Sequence, residues 1–230
     1  MTYFQNEYFL IALTFGSYFL GKLLRRRTGW AIMNPILVAI ATVIIFLNVT
    51  DISYDTYNEG GRMIEFWLRP AVVAQGVPLY QQLETIKKQF MPILVSELAG
   101  CIVGIVSVVL IARLLGASRE VVLSLAPKSV TTPIAMEITK AVGGIPSLTA
   151  AVVVCVGLMC AVAGYRTMGF AHVRTPMAQG LSMGTAAHAL GTATSMDVSK
   201  LHGAYASLGL TLNGIFTALI TPSIIPLMGI

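Results

Sequence analysis

The stretch LAPKSVTTPIAMEITKAVGG, Leu125 to Gly144, constrains this chain more than any other. It lies among apolar runs long enough to cross a bilayer, yet it carries Lys128, Glu137, Lys140 and two prolines, Pro127 and Pro133. Proline has no N–H and pushes the residue before it out of the α region. A helix that meets both prolines breaks and restarts, with Pro133 suited to the first turn of the restarted half. In hydrocarbon, such a break is tolerated only where it is packed in protein or lines a cavity. An unpaired lysine there costs roughly 2.5–3.5 kcal/mol. A bound anion is one candidate for what offsets that cost.

Composition sets the class. Charged residues make up 11% of the chain and hydrophobic residues 56%, against about 25% charged in soluble domains. The expectation is an all-α, polytopic transmembrane helical bundle with about seven to eight membrane segments, some of them broken or re-entrant. These spans are expected to form one integral membrane domain over residues 1–230. The formal net charge of +5 comes from bases scattered along loops, which read as topology signals and not as a nucleic-acid patch. Cys101, Cys155 and Cys160 lie inside apolar runs without CxxC or metal-ligand spacing, so they read as packing residues.

Taken in order, Tyr8 to Leu24 reads as a retained first span. The bases Lys22, Arg25, Arg26 and Arg27 that end and follow it are expected in the cytoplasm, which puts the N-terminus outside. A second span, Ile32 to Val49, opens on Asn34-Pro35. An acidic loop from Thr50 to Gly61 follows. The segment near 63–83 is interrupted by Pro70, Gln75, Gly76 and Pro78 and is expected to break, as are 119–143 and 176–197. Pro92–Leu114 and Ile145–Ala163 read as clean spans, and Ala204–Leu219 is the last apolar run. The pattern Leu68-x-Pro70, Pro78-Leu79, Pro92 echoes Leu125-x-Pro127, Pro133-Ile134, Pro146. That is an internal repeat of a kind that points to a transporter site near the midplane. The bases at Arg166–Arg174 favour a re-entrant path for 119–143.

The run Pro127-Lys-Ser-Val-Thr-Thr-Pro-Ile-Ala-Met136, then Gly143-Gly-Ile-Pro146 and Gly184-Thr-Ala-Ala-His-Ala-Leu-Gly-Thr-Ala193, resembles the CidB/LrgB antiholin-like family. Asn34-Pro35, Ile52-Ser-Tyr-Asp55 and Pro70-Ala-Val-Val-Ala74 with Pro78-Leu-Tyr80 add to the likeness, which covers nearly the whole chain. Two positions depart from it: Ala187 and Gln179 stand where the family commonly has Ser and Arg. The resemblance implies a multi-pass protein of the bacterial inner membrane that acts with a small CidA/LrgA-type holin-like partner; a homo-oligomer is a further candidate assembly. It also implies a link to murein hydrolase export and cell lysis, and, through plastid and bacterial relatives, to glycolate, glycerate or pyruvate.

Several side chains are candidates for a substrate site. Lys128 can neutralise a small carboxylate beside Ser129, Thr131 and Thr132, where a restarted helix offers free N–H groups; the alternative is a lysine that snorkels or pairs with Glu137. Thr185 and Thr192, seven apart, share a helical face near His188, and Gln75 adds a neutral polar group from the first copy. His188 and Glu137 are the proton-coupling candidates, with a packed histidine and an ion-pair partner as the alternatives.

Two functions compete. The first is a secondary transporter or facilitator of small monocarboxylates (glycolate, glycerate, pyruvate, lactate). The second is a holin/antiholin-like protein that modulates murein hydrolase export and lysis without its own substrate site. No H-E-x-x-H motif and no recognisable nucleophile–base arrangement is present, so neither an enzyme nor a cofactor or metal site is expected.

Overall fold

The computed structural model describes residues 6–30, 33–74, 76–81 and 83–230. Gln75, one of the candidate site residues, lies outside them. The described residues are helical, with no strand among them, and fall into two compact units, 1–75 and 76–230.

The first unit holds α1 (Glu7–Thr28), α2 (Pro35–Thr50) and α3 (Tyr54–Ala74). Asn6 caps α1 by accepting the Tyr8 N–H, and Gly29 ends it in the left-handed conformation. Arg25, Arg26 and Arg27 sit in its last turn, where they complement the helix dipole. Asn34 caps α2 and Pro35 opens it. The Thr14 hydroxyl meets the Tyr57 hydroxyl at 2.9 Å, tying α1 to α3. The acidic segment expected as a loop from Thr50 to Gly61 is mostly helix. Ser53 Oγ accepts the Thr56 N–H at 3.3 Å, and this local cap starts α3 at Tyr54.

The second unit runs through the short helices α4 (Gly76–Gln81) and α5 (Leu83–Lys88) into α6 (Phe90–Leu114), α7 (Arg119–Leu125), α8 (Thr132–Val142), α9 (Pro146–Phe170), α10 (Pro176–Val198) and α11 (Lys200–Leu227). Among the described residues, α6, α9 and α11 are the helices long and apolar enough to cross a membrane.

Between them lie two helical hairpins. In the first, α7 stops before Pro127, the chain turns through 126–131, and α8 restarts with Pro133 in its first turn. With 7 and 11 residues, these helices are about 10 and 16 Å long at 1.5 Å per residue, well short of a ~30 Å hydrocarbon core. The excursion closes on itself. The Ile145 N–H donates to Ser124 Oγ at 2.7 Å, and the Thr149 hydroxyl donates to the Ser124 carbonyl at 2.9 Å. Ala117 before α7 and Val142 at the end of α8 pack against one cluster that contains Ala112, Val122 and Ile225. Both feet of the hairpin therefore stand at the same end of the unit, as a re-entrant path requires.

The second hairpin lies inside α10. His188 has φ 44° and ψ −130°, which reverses the chain. Gly191 lies against the Met183 carbonyl and Ala187. The Tyr165 hydroxyl donates to Ser195 Oγ at 2.9 Å, while the adjacent Gly164 abuts the Met183 sulfur. Positions 183 and 195 thus share one height on α9, whereas an unbroken helix would separate them by about 18 Å. The feet of this hairpin meet the start of α11, where His202 Nε2 lies 3.1 Å from Gln179 Oε1 and Ser199 Oγ lies 2.7 Å from His202 Nδ1.

Because Ile225 marks one end of α11 and His202 the other, the hairpins enter from opposite ends. The unit therefore holds a hairpin followed by a long helix twice, over 119–170 and again over 176–227. These boundaries differ from those drawn on the proline pattern, in which Pro70 belonged to the first copy. Pro70 sits within α3 and not at a turn like Pro127.

Candidate functional site

The tips of the two hairpins meet midway along the second unit. They enclose, with α6 and α11, a cavity of about 280 Å³, near the lower end of the roughly 300–1,000 Å³ typical of ligand pockets. Lys128 and Ser129 from the first tip, Thr185 from the second, Asn213 and Thr217 from α11 and Cys101 from α6 all line it.

Asn213 joins the tips. Its side-chain amide donates to the Ser129 carbonyl at 2.9 Å and to the Thr185 carbonyl at 3.0 Å. Both acceptors exist because the helices break: Ser129 lies in the turn between α7 and α8, and the reversal at His188 interrupts the i→i+4 ladder that would otherwise engage Thr185. Asn213 is 2% exposed, and buried carbonyls without such a donor are costly. The Thr217 hydroxyl completes the arrangement by donating to Asn213 Oδ1 at 3.4 Å.

Lys128 is half-buried, and its ammonium donates to Ser129 Oγ at 3.0 Å. Among the described residues it has no carboxylate within ion-pair distance, and the pair that does form is Lys87–Glu84. Glu137 is exposed on α8 and pairs with neither Lys128 nor Lys140.

The remaining candidates stand beside the cavity and not on its wall. Thr131 and Thr132 follow the first tip into α8, and the Thr131 hydroxyl makes no cap bond. His188 is 5% exposed; its Nε2–H donates to the Val153 carbonyl at 3.0 Å, and its ring rests against Gly157. Thr192 donates to the His188 carbonyl at 3.0 Å. The seven-residue spacing of Thr185 and Thr192 implies one face only on a continuous helix, and His188 ends that continuity. Among the described residues no three of His, Cys, Asp and Glu gather as a metal site needs.

Two residues of the site were not singled out in the sequence. Asn213 lies in the last apolar run. Glu97 lies in the α6 run that reads as clean, and it is 2% exposed. The Thr185 hydroxyl sits 2.8 and 2.6 Å from its two carboxyl oxygens. A lone carboxyl inside an apolar span is itself a functional signal, which the mean hydropathy of the run conceals.

Residues 14–227 match the model of the LrgB-like family. Proteins described as antiholin-like protein LrgB, from Bacillus mycoides (strain KBAB4), Bacillus cereus (strain B4264) and Bacillus anthracis (strain CDC 684 / NRRL 3495), are each 34% identical to the chain over 226 residues, covering 98% of either sequence. No solved structure matches it. Both the family match and the relatives take in the two hairpins and the helices around them, and this chain belongs to the LrgB-like family.

Proposed function

We propose that this multi-pass membrane protein has an antiholin-like role, modulating murein hydrolase export and cell lysis together with a small holin-like membrane partner of the CidA/LrgA type. The observation that carries this reading is the end-to-end identity to relatives described as antiholin-like. The test is deletion and re-expression in the native bacterium. Extracellular murein hydrolase activity and lysis rate are expected to change on deletion and to return on re-expression; no change in either would sink the reading. It assigns the chain no enzymatic step.

A second reading is favoured by the paired hairpins: translocation of a small monocarboxylate such as glycolate, glycerate, pyruvate or lactate. Broken helices that meet at mid-depth, in two copies entering from opposite ends, are the arrangement in which secondary carriers build solute sites. Lys128 supplies a cation that has no carboxylate partner among the described residues at that meeting point, and Ser129 and Thr185 supply hydroxyls. Saturable uptake into liposomes separates this reading from the first, which requires no substrate site.

For orientation, Lys87, Lys88, Arg166, Arg174 and Lys200 cluster at the end of the second unit where α11 starts, against Arg113, Arg119 and Lys140 at the other. The positive-inside rule supports a cytoplasmic location for the more basic end. Applied to Lys22 and Arg25–Arg27, the same rule supports an external N-terminus.

A further inference from the structure

Thr185 Oγ1 is close to three oxygens at once: both carboxyl oxygens of Glu97, at 2.8 and 2.6 Å, and the Leu181 carbonyl, at 2.8 Å. A hydroxyl has one hydrogen. If Glu97 were ionised, all three neighbours would be acceptors competing for that hydrogen, and two O···O contacts at or below 2.8 Å would hold no proton. A proton on Glu97 changes the count. The acid O–H donates to Thr185 Oγ1, the Thr185 O–H donates to Leu181, and only the second carboxyl oxygen is left as a close contact without a proton.

The surroundings favour the same state. Glu97 is 2% exposed and faces Gly209 of α11, where an added Cβ would lie 3.1 Å from Oε1. Among the described residues no cation reaches it within ion-pair distance. The charged and titratable groups on α6 and the elements packed against it are few near Glu97. On α6 itself Cys101 is one turn away, bonded to Thr217 at 3.4 Å, and Arg113 is at the far end, bonded to the Met228 carbonyl. On α10, His188 is directed at Val153. On α11, Tyr205 donates to Gln89 and His202 bonds Gln179 and Ser199. The first hairpin carries Arg119 and Glu120 at its exposed foot and Lys128 at its tip. An unpaired buried carboxylate is strongly disfavoured in such a place.

We propose that Glu97 is a proton-binding site set one hydrogen bond behind the cavity wall, holding a proton at neutral pH and exchanging it through the Thr185 hydroxyl. Loss of the proton turns the Thr185 O–H from Leu181 to the new carboxylate, so the charge state of Glu97 is written into the second hairpin tip. While the proton is held, Lys128 is the uncompensated charge at the cavity. Its release places a negative charge behind Thr185 and weakens the site for an anion. This last link rests on the carboxylate-translocation reading; the proton site does not.

The test is infrared spectroscopy of the purified full-length protein in lipid at neutral pH, reading the carboxylic-acid C=O stretch, which disappears on ionisation. The wild type is expected to show such a band, and Glu97→Gln is expected to lack it. Carbon-13 labelling of glutamate assigns the band without any substitution, so the outcome does not hang on the variant's folding. Thr185→Val removes the acceptor and is expected to move the band to higher frequency. Absence of a glutamic-acid band in the wild type, or its persistence in Glu97→Gln, overturns the proposal. A band that Thr185→Val leaves in place overturns the exchange route. The infrared signal is independent of transport, so failed uptake with the band present would count against the carboxylate reading alone.

Discussion

The side-chain amide of Asn213 donates to the main-chain carbonyl of Ser129 at 2.9 Å, and so fixes the tip of the first hairpin to the middle of α11. The same nitrogen holds the Thr185 carbonyl at 3.0 Å. One side chain thus bridges two breaks that enter from opposite ends, and its loss should be felt at both.

Asn213→Ala leaves the Ser129 and Thr185 carbonyls without their donor. At about 1–3 kcal/mol for each buried group left unpaired, a loss of roughly 2–6 kcal/mol is expected. It would be read as a clear fall in melting temperature in detergent. Asn213→Asp removes the donor while keeping the shape and should be no better tolerated. A wild-type melting curve for both would contradict the bridging role.

Gly157 exists to admit His188. A Cβ there would lie 2.6 Å from Cε1 and 2.8 Å from Nε2 of that ring. Gly157→Ala is therefore expected to destabilise by about 1–3 kcal/mol, as overpacking does. Adding His188→Ala should cost much less in that background than in the wild type, because the two changes share one contact. Strict additivity in the double-mutant cycle would count against the packing described.

The path of 119–142 can be read by labelling. In a background without the three native cysteines, Leu115→Cys and Lys140→Cys should react with an impermeant maleimide from the same side, and Arg174→Cys from the other. A segment that crossed fully would place Leu115 and Lys140 on opposite sides.

Acidity should favour solute binding if the cavity carries a carboxylate. With Glu97 protonated, Lys128 is uncompensated; raising the pH ionises Glu97 and weakens anion binding. Affinity for the carboxylate is therefore expected to fall as pH rises, and Glu97→Gln should flatten that dependence. Glu137 is exposed on α8 and does not line the cavity, so Glu137→Gln should leave it in place. The reverse pattern would move the proton role to Glu137.

How much of this could be read beforehand depended on the residue type at each break. The first tip was legible because proline announces itself: Pro127 and Pro133 leave the backbone no continuous helical option, and Lys128 between them marks a polar destination. The second tip has no proline. Its glycines and threonines suggest close helix packing as readily as a reversal, and both occur: Gly180 and Gly184 lie against α11 at His202 and Ala206, while Gly191 lies on Met183 of α10 itself. A histidine at φ 44° leaves no trace in composition. The proline spacing therefore gave a repeat with different boundaries from the hairpin-and-helix pair, because one of its members, Pro70, is accommodated within a helix. Glu97 and Asn213 escaped notice because averaging over an apolar run hides a single polar side chain. In a membrane, that single side chain carries the information.

The most direct test of the cavity as a solute site is uptake of labelled glycolate and pyruvate into liposomes that hold this protein alone, beside Lys128→Ala. Saturable uptake by the wild type that is abolished in the folded variant is the expected result. No uptake by folded wild-type protein, or uptake that Lys128→Ala leaves unchanged, would contradict a carboxylate site at the hairpin tips and leave the partner-dependent antiholin-like role standing without it.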